Sequence, residues 1–292
     1  MQLDVIADYA NETGEGPLWH VAEQALYWVD IPTARLFRYH PESDKHELVL
    51  HDRPVGGFTY QQDGALLLFR DKGNVVLWRY GQGIVATVIE KIDEHADTRF
   101  NDVCAAPAGG VFCGTMSSKT IKGRLHYLDP DGKLTVLLTD QGTPNGMGYS
   151  PDRRTMYYND SSAAATWAFD HDEKTAKLTN QRKLRDAKAS DDRGRPDGLC
   201  VDSEGCIWTA RWDGGCIIRH ATDGSILQTI DIPARNITSV AFGGPDLDDL
   251  YVSSAGGHLK SDAAHGPNAG ALFRIRGLGI KGQREYLSRV RA

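Results

Sequence analysis

The sequence predicts an all-β fold, a six-bladed β-propeller with a metal site on its axis. Three observations lead there. The apolar segments are short and bounded by Gly, Pro, Asp and Asn rather than long and helical in period, and Gly accounts for 31 of the 292 residues. One pattern of strand, turn and strand recurs six times, at intervals of about 40 to 50 residues. Most copies are followed by a weaker strand pair, so each unit supplies the four antiparallel strands of one propeller blade.

The copies are "EGPLWHVAEQALYWVDI" from Glu15, "GGFTYQQDGALLLFRD" from Gly56, "NDVCAAPAGGVFCGTM" from Asn101, "NGMGYSPDRRTMYYNDS" from Asn145, "DGLCVDSEGCIWTARW" from Asp197 and "TSVAFGGPDLDDLYVSS" from Thr238. Weaker pairs such as "ARLFRYHP" with "KHELVLH", and "GRLHYLDP" with "KLTVLLTD", complete the blades. An open ring would leave an edge strand with unpaired backbone groups. The N-terminal "LDVIAD" is therefore expected to pair with "GALFRIR" in the sixth blade. With no Pro- or Ser-rich linker, residues 1–292 read as a single domain.

Composition narrows the function. A formal charge of −6 with no basic cluster speaks against nucleic acid, which needs a concentrated Lys/Arg surface. "MQLDVIADYA" lacks a basic n-region and a long apolar h-region, and no stretch approaches the roughly 18 apolar residues of a membrane span. The expectation is a cytoplasmic protein that acts on a small molecule and has no obligate protein partner. Five cysteines without a CxxC pair read as small buried hydrophobes in a reducing compartment.

Chemistry enters through the phase of the repeat. The first strand of each propeller blade lines the central channel, so the residues heading the copies should converge at one end: Glu15, Gly56, Asn101, Asn145, Asp197 and Thr238. Five carry a side-chain oxygen and two are carboxylates. Like charges in a narrow channel raise one another's pKa unless a cation lies between them. Glu15, Asn145 and Asp197 are accordingly expected to hold one divalent cation. Hard oxygen donors suit Ca²⁺, Mg²⁺ or Mn²⁺ better than structural zinc. The second strand of each copy returns to the same end, which makes Asp30, Thr115 to Ser117, Asp160, Trp212 and Ser253 candidate rim contacts. Arg99, two residues before Asn101, can reach the same rim and offer a fork of donors.

These segments carry a resemblance. "GEGPLW" with "YWVDIP", "RFNDV", "CGTM", "NGMGYSPD" with "YYNDS", "RPDGLCVDSEGCIWTARWDGG", "FGGPD" and "GLGIKG" resemble, in order and spacing, the regucalcin, gluconolactonase and senescence-marker-protein family along essentially the full chain. The resemblance implies a six-bladed propeller with one divalent cation, Ca²⁺ first and Zn²⁺, Mn²⁺ or Mg²⁺ as alternatives, on Glu15, Asn145 and Asp197. It places Arg99 and Asn101 on positions that contact substrate hydroxyls, and it implies hydrolysis of sugar lactones. After "GTM" the run is "SSKT", Ser117 to Thr120, where vertebrate-type relatives carry acidic residues, one of which helps bind substrate.

The expected reaction is metal-assisted opening of an aldonolactone, with Asp197 as general base as well as ligand and with Arg99 and Asn101 orienting the sugar. The alternatives are an aryl-ester or organophosphate hydrolase on the same site, favoured by an apolar mouth, and a non-enzymatic calcium-binding propeller, favoured by a channel filled with apolar side chains. Other motifs carry little. "GLGIKG", residues 277–282, matches GxGxxG but opens no helix and reads as a turn, and "DPDGK", residues 129–133, reads as a hairpin turn. Neither GxSxG nor HExxH occurs. The charged segment 186–195 reads as a solvated loop placed to act as a mobile lid.

Overall fold

The computed structural model describes residues 1–259 and 261–292. Six four-stranded antiparallel sheets follow one another, each a meander in chain order except the last. Their inner strands are Gly14–His20, Val55–Tyr60, Phe100–Ala105, Pro144–Tyr149, Arg195–Val201 and Asn236–Gly243. Each touches the inner strand on either side, from the first round to the sixth and back to the first. That closed circuit is a six-bladed propeller. Blade 6 is completed from the other end of the chain, by Gln2–Ala7 pairing with Leu272–Arg276 in the register Leu3 to Ile275. The expected closure is present.

Apolar side chains collect between blades, because each sheet must bury both faces against its neighbours. Tyr27 of blade 1 meets Tyr60 and Trp78 of blade 2, Phe69 of blade 2 meets Phe100 of blade 3, and Phe112 of blade 3 joins Tyr158 of blade 4. Tyr157 packs with Leu199, Trp208 with Phe242, and Trp19 with Tyr251, which completes the circle. The outermost strands, such as Lys45–His51, face water with polar side chains. Cys104, Cys113 and Cys216 are buried, and all five thiols are free.

The inner strands are irregular at one point, and it is the same point in every blade. Pairing with the second strand shifts between Glu15 and Leu18, Val55 and Gly57, Phe100 and Val103, Pro144 and Met147, Pro196 and Leu199, and Ile237 and Ser239. Such bulges re-aim side chains and are common beside active sites. Here they fall at the repeat heads. The glycines that follow two of the heads let the blades close up: a Cβ on Gly146 would lie 2.2 Å from the Leu199 nitrogen, and one on Gly198 2.3 Å from Ser239 Oγ.

A C-terminal strap crosses the opposite face. The Gly282 N–H donates to Leu247 O of blade 6, and Gln283 Nε2 donates to Tyr149 O, Val201 O and Asp202 O of blades 4 and 5. Ser288 N–H reaches Tyr60 O of blade 2, and Arg289 N–H reaches Gly109 O of blade 3. "GLGIKG" is its opening turn, with Gly277 and Gly279 at φ +74° and +71°.

Candidate active site

The bulges bring four of the six repeat heads to one cavity. At the channel mouth, a space of about 240 Å³ is lined by Glu15, Arg99, Asn101, Asn145, Asp197 and Trp212, among others. Thr238 and Gly56 do not line it. Thr238 turns its hydroxyl to Gly14 O at 2.5 Å, and Gly56 has no side chain because a Cβ there would stand 2.0 Å from Phe100 O.

Glu15, Asn101, Asn145 and Asp197 are each 4 % exposed. The two carboxylates are poorly satisfied. Among the described residues, Glu15 Oε2 accepts only the N–H of Gly16, at 3.2 Å, and Asp197 Oδ1 is buried with no partner. Desolvation raises both pKa values well above the carboxylate range; the charge of Asp197 adds to the rise at Glu15, and that of Asp102 adds at both. Among the described residues neither forms an ion pair within 4.0 Å. Arg99 compensates Glu15 in part, and Arg195 with Arg99 compensates Asp197 in part; burial lowers the pKa of Arg99 itself. A buried carboxylate oxygen without a donor costs several kcal/mol unless it is protonated or meets a cation.

The amides are held by a directed chain of hydrogen bonds. Arg99 Nη1 donates to Asn101 Oδ1 at 2.7 Å, and Asn101 Nδ2 donates to both Pro144 O and Asn145 Oδ1 at 2.7 Å. Asn145 Nδ2 donates to Ser161 Oγ at 2.7 Å, and Ser161 donates to Pro196 O at 2.6 Å. Asn145 thus turns its oxygen away from Ser161, and that oxygen keeps a free lone pair. Glu15, Asn145 and Asp197 together offer an all-oxygen donor set with two potential negative charges and one orphaned oxygen, which fits a hard divalent cation. Among the described residues, no three His, Cys, Asp or Glu side chains are close enough to hold an ion by themselves. The Asn145 amide would have to take part.

Below the mouth the channel narrows to a space of about 70 Å³ lined by Asp102, Cys104, Met147 and Glu285. Desolvation inside the channel pushes Asp102 up to about 7.

The rim residues expected from the second strands divide. Trp212 lines the cavity, as does Met116 from the segment Thr115 to Ser117. Asp30 and Asp160 instead organise loops. Asp30 accepts the N–H groups of Glu12 and Thr13, and Asp160 those of Gly142, Thr143, Ser162 and Ala163. Those loops carry Thr13, Thr143 and Ser162 into the cavity wall. Ser253 is bonded to Thr238 and lies outside. The segment 186–195 is largely exposed, as expected of a solvated loop, but it is pinned at one point: the buried Asp192 carboxylate pairs with Arg185 at 2.5 Å and Arg211 at 3.5 Å, and Arg211 also holds Arg193 O and Gly194 O. The segment's last residue, Arg195, joins the cavity wall. Sequence reasoning missed Ser161, Ser162, Thr143 and Arg195. Their only sequence signal is that they flank a repeat head or follow a second strand.

Comparison with known proteins adds to this geometry. Residues 13–256 match the family described as the SMP-30/Gluconolactonase/LRE-like region. The pentonolactonase XacC of Haloferax volcanii is 43% identical over 296 residues, covering 100% of this chain and 99% of that protein. Regucalcin of Danio rerio is 34% identical over 98% of each chain. Among solved structures, a regucalcin of Agrobacterium tumefaciens, described as a calcium-binding protein, superposes with a TM-score of 0.90 at 29% identity, over 98% of this chain and 97% of that one.

Proposed function

The chain belongs to the SMP-30/Gluconolactonase/LRE-like family, and from that premise we propose that it is a sugar lactonase, opening aldonolactones to aldonic acids with the help of one divalent cation. The observation that carries the reading is the buried, partnerless Asp197 Oδ1, set beside Glu15, Asn145 and the Arg99 guanidinium in a cavity of about 240 Å³. A space of that size suits a monosaccharide-sized ligand. The full-length similarity to a pentonolactonase makes five-carbon lactones the first substrates to assay. A cytoplasmic enzyme fits the five free thiols, and among the described residues no helix is long and apolar enough to cross a membrane.

Glu15, Asn145 and Asp197 would hold the cation, with Ca²⁺ first and Zn²⁺, Mn²⁺ or Mg²⁺ as alternatives. When bound, it would supply Lewis-acid polarisation of the lactone carbonyl and stabilise the charge that develops on its oxygen. The protein supplies orientation and proton handling. Arg99 uses Nη1 for Phe100 O and Asn101 Oδ1, which leaves Nη2 and Nε to donate to sugar oxygens. Asn101, held from both sides, lines the floor beside it. Asp197 Oδ1 is free to take the proton of the attacking water as the new C–O bond forms and to return it to the ring oxygen as the ester bond breaks. The product acid then ionises and leaves.

Most of the residues that line the wall carry carboxylate, amide, hydroxyl or guanidinium groups, and Met116 and Trp212 are its apolar members. Those polar groups supply the hydrogen-bond partners that a polyhydroxylated substrate needs and an aryl ester would leave unused. The test is acid release from a panel of pentono- and hexonolactones, repeated after chelation and again after metal add-back. Activity that survives in protein shown by elemental analysis to be metal-free would overturn the cation's role. Inactivity on every lactone in the metal-loaded state would overturn the substrate class.

A further inference from the structure

Two of the three residues assigned to the cation, Asn145 and Asp197, sit on adjacent blades, and one hydroxyl touches both strands. Ser161 follows the second strand of blade 4, Thr155–Asp160, and is 8 % exposed. Its Oγ accepts from Asn145 Nδ2 at 2.7 Å within blade 4 and donates to Pro196 O at 2.6 Å in blade 5, one residue before Asp197. Directions follow from elementary chemistry. A carbonyl can only accept, so the single hydroxyl hydrogen must go to Pro196. Ser161 can then offer Asn145 only lone pairs, and Asn145 must answer with its NH₂ group. The amide oxygen is left on the far side, facing Asn101 and the cavity. The opposite end of the chain agrees: a guanidinium only donates, so Asn101 turns its oxygen to Arg99 and its NH₂ to Pro144 O and Asn145 Oδ1.

We propose that Ser161 is a positioning residue of the site, holding the Asn145 amide with oxygen toward the cation and fixing the blade 5 strand so that Asp197 stands beside it. The inference rests on the cation reading given above. Groups that orient metal ligands from behind typically change affinity by about 10- to 100-fold when removed. Ser161→Ala should therefore weaken the cation by about tenfold or more, with some loss of stability in the metal-free fold as well, since Asn145 Nδ2 and Pro196 O each lose a buried partner. Ser161→Thr, which keeps the hydroxyl, should bind within about threefold of wild type.

The measurement is direct binding to the full chain, by Ca²⁺ calorimetry and by Tb³⁺ luminescence excited through Trp212 in the cavity wall, together with the thermal midpoint of each metal-free variant. Weakened binding in Ser161→Ala with restoration in Ser161→Thr supports the proposal. Binding by Ser161→Ala within twofold of a wild type that itself binds would overturn it and leave the cation reading intact. A wild type that binds none of Ca²⁺, Tb³⁺, Zn²⁺, Mn²⁺ and Mg²⁺ would overturn both. Should Ser161→Ala fail to fold, Ser161→Cys, close in volume but a poor hydrogen-bond partner, carries the same expectation of weakened binding and the same overturning result.

Discussion

Asn159 of blade 4 donates its Nδ2 to the main-chain oxygen of Asp197 in blade 5 at 2.6 Å, and Thr166 Oγ1 holds the other end of that amide at 2.7 Å. The backbone of Asp197 is thus fixed independently of its carboxylate. The side chain can change its chemistry while its place is kept, and a clean test follows.

Asp197→Asn keeps shape and one oxygen but removes the charge. Turnover should fall by several orders of magnitude. Removing a desolvated, unpaired carboxylate should leave the thermal midpoint of the metal-free protein unchanged or raised, and the gain in midpoint on adding Ca²⁺ should shrink because Glu15 would be the sole anionic donor. Assayed at saturating metal, confirmed by titration, a near wild-type rate would reduce Asp197 to a ligand.

Arg99→Ala should raise KM for aldonolactones by about tenfold or more, the loss of a charged donor being worth roughly 1.5–3 kcal/mol. Cation affinity should move less, because Arg99 reaches Asn145 only through Asn101. An unchanged KM across several lactones would remove Arg99 from the site.

Chelation should abolish activity and lower the thermal midpoint together. An ion present at about 100 times its dissociation constant stabilises the folded state by about 2.7 kcal/mol, which in a chain of this size corresponds to a shift on the order of 4–5 °C. Calorimetric scans with and without chelator measure it, and coincident midpoints in protein that still hydrolyses lactones would contradict the assignment.

The propeller was legible because its elements repeat: each copy has the same strands in the same phase, and the six bulges fall where the heads stand. Glu15, Asn101, Asn145 and Asp197 were legible for the same reason. Arg195 and Ser161 were not, since their roles come from segments of adjacent blades that meet only in three dimensions and leave no periodic mark. Segment 186–195 is largely exposed, as its charges suggest. Its pinning was not legible, because the Asp192 carboxylate is buried against Arg185 and Arg211, which it meets only in three dimensions. The C-terminal strap is aperiodic too, and only its opening turn could be read.

The strap yields its own prediction at Gln61, whose Nε2 donates to Val290 O at 2.7 Å and whose Oε1 accepts the Val290 N–H at 3.1 Å. Both bonds are buried. Gln61→Ala should destabilise by about 1–3 kcal/mol, leaving two strap groups without partners, and should speed amide exchange of residues 288–291 well before that of the blades. The site lies at the other end of the channel, so kcat should hold. Unaltered exchange in the strap would show that Gln61 does not anchor it.

The last prediction concerns pH. His126 and His220 are buried, and desolvation first, then nearby His95 for one and Arg211 for the other, lowers each to about 4. In the unfolded chain both titrate near about 6.5. Between those values the unfolded state binds the extra proton, so each histidine makes the fold less stable as pH falls from about 6.5 toward 4, at a slope of up to about 1.4 kcal/mol per pH unit, and has no effect above about 7.5. Asp102, raised to about 7, acts oppositely over much of the same window: its unfolded counterpart loses its proton first as pH rises through about 4. The total curve therefore mixes both signs, and a difference between two proteins isolates one group. His126→Gln removes a titrating ring from beside His95 without adding charge. Whatever it costs at pH 8, the gap in unfolding free energy between wild type and variant should shift in the variant's favour as pH is lowered from 6.5 to 5. A gap constant over that range, measured by denaturant titration at each pH, would show that the buried ring is not held neutral by the fold.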